Sequence, residues 1–315
     1  MLDKSDKPIK PVAITNKRKK EVKNLTPPKG ICGECGSGFS QDWNSGTGLY
    51  SSFKLCPECR ISTAKKEEAY KIRLDYTPHP FQRLVHESSA RFKVVCAGAR
   101  GGKDFCLVTE FFLKLMICAN EERPTSMVPR VLGWIIAPTE KLARQNWRDL
   151  KRVVPKKLIV DESRSTGQMT LRNGVLIELH SAYNPEDLVA VGVDVALITE
   201  AARIKDMQVV WENLEMRLNS PGRGVEGKGG IGLINSSPLG KNYFYKMWLW
   251  GRPESDTYDS DWESFRWTTW DNPYMAIRAD DICPKTGLTY KERMKRRYSK
   301  VRYEQDILAK FLSDE

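Results

Sequence analysis

One stretch limits what this chain can fold into more than any other. Val94-Val95-Cys96-Ala97-Gly98-Ala99-Arg100-Gly101-Gly102-Lys103-Asp104 leaves an apolar strand, turns through small residues and enters the helical pattern Phe105–Cys118. That is the order of a phosphate-binding loop: glycines let backbone N–H groups approach a polyphosphate, the helix N-terminus presents its positive dipole end, and a lysine adds a mobile charge. Gly98, Gly101, Gly102 and Lys103 are the candidate phosphate-binding residues. The usual pattern G-x-x-x-x-G-K-S/T is broken twice, because Ala97 stands at the first glycine and Asp104 at the metal-binding hydroxyl. Taken alone, the motif leaves a plain glycine turn with a solvated lysine as the alternative.

A second stretch decides between them. Val193-Asp194-Val195-Ala196-Leu197-Ile198 reads as a buried parallel strand and runs into Thr199-Glu200-Ala201-Ala202, where an ATPase keeps an acidic pair. In such a pair the first acid helps hold Mg²⁺ and the second polarises the attacking water. Here the hydroxyl and the carboxylate have exchanged places, so Asp104 and Thr199 are expected to share one Mg²⁺ shell, with Glu200 beside the water. Independent decay of both positions, with hydrolysis lost, is the competing reading.

The 315 residues suffice for a substantial α/β core and a small appendage. With 51 Lys and Arg against 40 Asp and Glu, the net charge of +11 points to a nucleic-acid partner. No apolar run reaches membrane-spanning length, and no secretion signal precedes the lysine-rich start. A cytosolic setting makes the eight cysteines candidates for metal ligands or buried thiols rather than disulfides. Cys32-Gly33-Glu34-Cys35 and Cys56-Pro57-Glu58-Cys59 form two C-x-x-C knuckles, whose spacing predicts a closed four-thiolate structural Zn²⁺ site.

The expected organisation is a basic disordered arm (1–26), a zinc ribbon with a linker helix (27–75), a P-loop ATPase domain (76–285) and a basic C-terminal lid or linker segment (286–315). Gln82, after Pro78 and Pro80, is the candidate for reading the adenine edge. Val131–Ala137, Val175–Leu179, Val193–Ile198 and Ile231–Asn235 join the strand before the phosphate loop, and their alternation with helical patterns predicts a mostly parallel sheet flanked by helices. Ser220–Gly232 reads as a mobile loop, and Trp262–Trp270 as aromatic core packing. Lys291–Arg302 holds seven basic residues and one acid, suiting phosphate contacts.

In combination, these motifs resemble the ATPase domain of a tailed-phage large terminase, the motor that pumps DNA into a procapsid. The resemblance spans Tyr76 to Leu312 and rests on Pro80-Phe81-Gln82-Arg83, Gly101-Gly102-Lys103, Ala137-Pro138-Thr139, Glu200-Ala201-Ala202 and Asn235-Ser236-Ser237-Pro238-Leu239-Gly240. It implies ATP and Mg²⁺ as ligands, double-stranded DNA as substrate, and a ring of copies on the procapsid in the host cytoplasm. A portal protein and a small terminase subunit are implied partners, and no membrane is. Ser236, Ser237 and Pro238 match the family's coupling motif, and Arg100 resembles a loop arginine that contacts phosphate in some relatives. Departures from the pattern are Asp104, Thr199, the zinc ribbon, and Ala190-Val191-Gly192 where relatives often carry a trans-acting arginine. With the sequence ending at Glu315, near where a nuclease domain usually begins, cutting activity is not expected. A noncatalytic zinc-ribbon nucleic-acid-binding protein and a helicase-like P-loop ATPase are the alternatives.

Overall fold

The computed structural model describes residues 29–31, 38–40, 43–44, 49–50, 74, 76–124, 127–189 and 191–313. The chain divides into two compact units, Met1–Arg73 and Leu74–Glu315. In the first, Lys29–Ile31 pairs antiparallel with Gly38–Ser40, and Trp43–Asn44 with Leu49–Tyr50. Cys32, Cys35, Cys56 and Cys59 lie outside the described residues, as do the basic arm and Ala190. Among the described residues no group of His, Cys, Asp or Glu is gathered to hold a metal ion.

The second unit is built on an eight-stranded sheet. Its strands are β1 (Phe92–Ala97), β2 (Val131–Ala137), β3 (Ile159–Ser163), β4 (Gln168–Leu171), β5 (Val175–Ser181), β6 (Val195–Ile198), β7 (Ile231–Ser236) and β8 (Trp262–Trp267). Their spatial order is β8-β1-β7-β6-β2-β5-β4-β3. All neighbours from β8 to β5 are parallel, whereas β4 and β3 continue the sheet antiparallel. The helices are α1 (Pro80–Glu87), α2 (Lys103–Asn120), α3 (Glu140–Val153), α4 (Met207–Leu218), α5 (Tyr243–Trp250), α6 (Pro273–Ala279) and α7 (Tyr290–Arg297).

Four of the five expected strands, β1, β2, β6 and β7, read as apolar runs because they are buried along their whole length, and β5 is buried at Val175 and Ile177. Parallel strands covered on both faces have no polar side to alternate with. Strand β3, with no buried position, carries no such signal; nor does β8, where exposed Glu263 and Arg266 interrupt the apolar positions.

Parallel pairing brings the C-terminal ends of the functional strands to one edge. Ile198 lies opposite Ile234, and Ser236 opposite Cys96. Strand β7 thus stands between the strand of the phosphate loop and the strand of the acid. In open α/β sheets this edge is where ligands bind.

At the opposite end a buried carboxylate staples the glycine-rich loop that the sequence suggested would be mobile. Asp194, fully buried, accepts from Arg123 Nη1 (2.6 Å), Arg223 Nη1 (2.9 Å), Leu132 N (2.8 Å) and Gly224 N (2.8 Å). Such a carboxylate is stabilising only while it is fully paired. Replacing it by alanine strands two buried guanidinium groups, so Asp194→Ala is expected to cost about 3–5 kcal/mol of stability in urea unfolding.

Candidate nucleotide site

The loop from Gly98 to Gly102 has every carbonyl oxygen engaged. Gly98 O accepts from Gly101 N (2.9 Å), Ala99 O from Thr269 Oγ1 (2.6 Å), and Arg100 O from Asn272 Nδ2 (2.7 Å). Gly101 O accepts from both Trp267 Nε1 (2.8 Å) and His79 Nε2 (3.1 Å), and Gly102 O from Gln82 Nε2 (2.9 Å). Carbonyls held outward leave the N–H groups at the start of α2, which have no intrahelical acceptor, directed at the site. Glycine is required here by space as well as by backbone angle. A Cβ at Gly98 would lie 2.5 Å from Ile307 O, and Gly102 sits at φ 85° with Gln82 Nε2 only 2.8 Å from its Cβ position.

Helix α1 brings His79 and Gln82 to the loop, and a buried network holds it there. Lys93, inside β1, donates to Val85 O (2.7 Å) and Ser88 O (2.9 Å), the orphan carbonyls at the end of α1, and to Glu110 Oε1 (2.7 Å) on α2. Glu110 Oε2 also meets His86 Nδ1 at 2.7 Å. Burial lowers the Lys93 pKa, against the pull of Glu110. Burial would raise that of Glu110, but His86 and Lys93 outweigh it and hold it below the usual carboxylate range.

Lys103 opens α2, 5% exposed, with Nζ 3.1 Å from Glu200 Oε1 and 3.4 Å from Asp104 Oδ2. Burial opposes its charge, yet the two carboxylates prevail and raise its pKa above the ordinary lysine value. Glu200 follows β6 in the left-handed region at φ 52°, where its N–H donates to Asn235 Oδ1 (3.4 Å). Its second oxygen lies 3.3 Å from Arg203 Nε and 3.5 Å from Ser236 Oγ. Ser237 Oγ donates to Ala97 O (2.9 Å) and Pro238 is buried beside it. The structure thus gathers Lys103, Glu200, Asp104 and Ser236, with Ser237 tied to the strand that precedes the loop.

Four expected site residues have surroundings that the sequence did not reveal. Gln82 spends its carboxamide on the loop and on His79 N (3.0 Å), leaving one amide hydrogen and one lone pair for an adenine edge. Thr199 is buried, its hydroxyl accepting from Asn146 Nδ2 of α3 (2.7 Å) and donating to Ile136 O (3.5 Å), while Asp104 pairs with Lys103. Arg100 is exposed and held at φ 64°. Asn146, Trp267, Thr269, Asn272 and His79 were missed as site residues. None carries a motif, and the aromatic density of Trp262–Trp270 was the one available signal.

These features define a class by fold: a mostly parallel, eight-stranded α/β sheet with a glycine loop and a glutamate at one edge, and with β7 standing between the strand of the loop and the strand of the acid. The comparisons narrow it. The chain is 30% identical over 232 residues to the large terminase subunit of Thermus phage G20c, and 29% identical over 229 residues to that of Thermus virus P23-45. Each alignment covers 63% of this chain and 43% of the relative, so the chain spans less than half the length of the relatives it matches. The ATPase domain of the Thermus phage P74-26 large terminase superposes with a TM-score of 0.56 at 24% identity, covering 76% of this chain and 96% of that domain. The large terminase of the thermophilic bacteriophage D6E, solved with ADP, gives a TM-score of 0.55 at 15% identity, covering 74% of this chain and 53% of that one. No family model matches the chain. Its sequence relatives are large terminase subunits, and its fold is that of their ATPase domain.

His79 makes the loop's bracing sensitive to pH. Burial lowers its pKa, and as the neutral ring it donates from Nε2 to Gly101 O, leaving buried Nδ1 without a partner. A depressed histidine binds its proton more readily in the unfolded chain, so stability falls as pH drops below about 6.5. Unfolding midpoints compared at pH 7 and pH 5 should therefore fall less in His79→Asn, which keeps a donor and cannot titrate there, than in the wild type.

Proposed function

We propose that this chain is the ATP-hydrolysing motor part of a large terminase, which uses ATP to move double-stranded DNA into a viral procapsid in the host cytoplasm. One observation carries the reading: a buried lysine at the first turn of α2, under a loop whose carbonyls are all tied back, within 3.1 Å of a glutamate from the neighbouring edge of the sheet. A degenerate, noncatalytic loop would have no need of that pair. Net charge of +11 and the basic run Lys291–Arg302 suit a polyanionic track.

In this reading Gly98, Gly101 and Gly102 shape the cradle for the phosphates and Arg100 adds a cation at its mouth. Lys103 leaves Glu200 for the β- and γ-phosphate oxygens, which frees Glu200 to orient a water in line with the bond to be broken. Gln82 contacts the adenine edge with its remaining amide hydrogen and lone pair. Mg²⁺ takes oxygen ligands, commonly one or two carboxylates with phosphate oxygens and waters. The half-buried Asp104 carboxylate at the start of α2 fits that demand, and the Thr199 hydroxyl, oriented by Asn146, completes the protein's share. When bound, Mg²⁺ would neutralise phosphate charge. Ser236 and Ser237, between Glu200 and the strand leading to the loop, register the change at Glu200 and pass it on.

Lys103→Ala is expected to reduce DNA-stimulated ATP turnover at least about a hundredfold, and unchanged turnover in the purified variant would overturn the ATPase assignment. The exchange between Asp104 and Thr199 has its own test. Asp104→Ser and Thr199→Asp should each be damaging, and the double variant should recover activity well beyond the sum of the single effects in a Mg²⁺ titration. Strictly additive losses would mean that the two positions do not share a metal shell.

A further inference from the structure

We infer that Gln305 is a positioning residue that couples the Ser236–Gly240 loop to the phosphate loop, so that neither moves without the other. This rests on the ATPase reading above and assigns a role to a segment that carries no nucleotide motif.

Tyr303–Ile307 is a single wide helical turn closed by Leu308 N donating to Tyr303 O (3.2 Å). Two neighbouring residues of that turn hold two different loops. Asp306 O accepts from Ala99 N of the phosphate loop at 2.6 Å, and Gln305 Oε1 accepts from Gly240 N at 2.7 Å. Cys96 Sγ, at the end of β1, points to Ala309 O (3.7 Å), and Ala309 is fully buried at φ 51°. The turn is packed as well as close. Tyr303 and Ile307 form a buried cluster with Met294 of α7, flanked by Trp270, Tyr290 and Leu308.

From Gly240 the contacts return to the acid. Ser236 Oγ faces Glu200, Ser237 Oγ holds Ala97 O, and Asn242 Nδ2 donates to Ala202 O (2.8 Å), just past Glu200. The result is a closed ring: phosphate loop, Asp306, Gln305, Gly240, the two serines, Glu200, Lys103 and the phosphate loop again. A displacement at Glu200 that shifts Gly240 must either break the Gln305 bond or drag the turn, and the turn carries the hydrogen bond to Ala99. Because α7 packs on the same turn, the displacement also reaches the basic run from Lys295 to Arg302. Coupling of this kind needs a physical chain of contacts with two arrangements, and the ring supplies the chain.

The test uses the full chain with Gln305→Ala, which removes the acceptor, and Gln305→Glu, which keeps an acceptor oxygen. In DNA-stimulated ATPase assays Gln305→Ala should lower kcat about tenfold with KM for ATP within about twofold of wild type, and Gln305→Glu should recover most of the loss. Hydrogen exchange with and without ADP supplies a readout independent of turnover. ADP should protect residues 236–243 in the wild type but not in Gln305→Ala. Unchanged kcat in Gln305→Ala, equal damage in both variants, or identical ADP protection in wild type and Gln305→Ala would overturn the inference. Should the wild type hydrolyse no ATP, the ATPase reading fails, and the exchange experiment still decides the link: loss of ADP protection in Gln305→Ala upholds it, and absence of protection in the wild type removes it.

Discussion

The unpaired N–H groups at the start of a helix can face an anion only if the loop that leads into them keeps its shape, and here every carbonyl oxygen of that loop, Gly98 to Gly102, has a donor. That constraint organises this molecule. The donors come from α1 (Gln82, with His79 at its cap), from β8 (Trp267) and from the segment that follows β8 (Thr269 and Asn272). Neutral donors inside a protein are worth more than in water, and fixing them before the ligand arrives spares the reorganisation that would otherwise accompany binding. The buried Lys93 network has the same purpose one layer down, since it sets where α1 stands and hence where His79 and Gln82 reach.

What was legible in the sequence follows from which forces act locally. Apolar runs such as Val131–Ala137 announce buried parallel strands because burial on both faces removes the alternation that polar neighbours would impose. The Lys103–Glu200 pair was legible because a glycine turn that leads into a helix with a lysine, and an acid at the end of an apolar strand, are local patterns, and the parallel sheet brings the two together at 3.1 Å. The braces were not. Trp267, Thr269 and Asn272 stand 166 to 172 residues from the carbonyls they hold, and Asn146 stands 53 residues from Thr199. Any side chain with a donor could fill such a position once the fold brings it there, so no local pattern marks it. The glycine-rich loop after Ser220 gave no sign of its anchor either, because Asp194, which accepts from Arg223 and Gly224, lies 29 and 30 residues before them in the chain.

Two carboxamides hold the acidic corner in place. Glu200 is held in a left-handed backbone conformation that costs about 1 kcal/mol or more for a side-chain-bearing residue. It is kept there by Asn235 from the neighbouring strand. Thr199, one residue earlier, is fixed by Asn146. The corner is therefore held by two amides, Asn235 at the Glu200 backbone and Asn146 at the Thr199 hydroxyl.

The distance in sequence between the loop and its braces also bears on how the chain comes to life. Strand β1 pairs with β7 and β8, both from the far half of the unit, and Thr269 closes on Ala99 across 170 residues. On a ribosome, the glycine loop emerges long before anything that can hold its carbonyls. A nascent chain released at residue 250 would carry the whole phosphate-loop motif and none of the β8-side groups that give it shape. The loop should thus acquire its shape late and abruptly during synthesis, and abortive fragments bearing the motif would lack that shape.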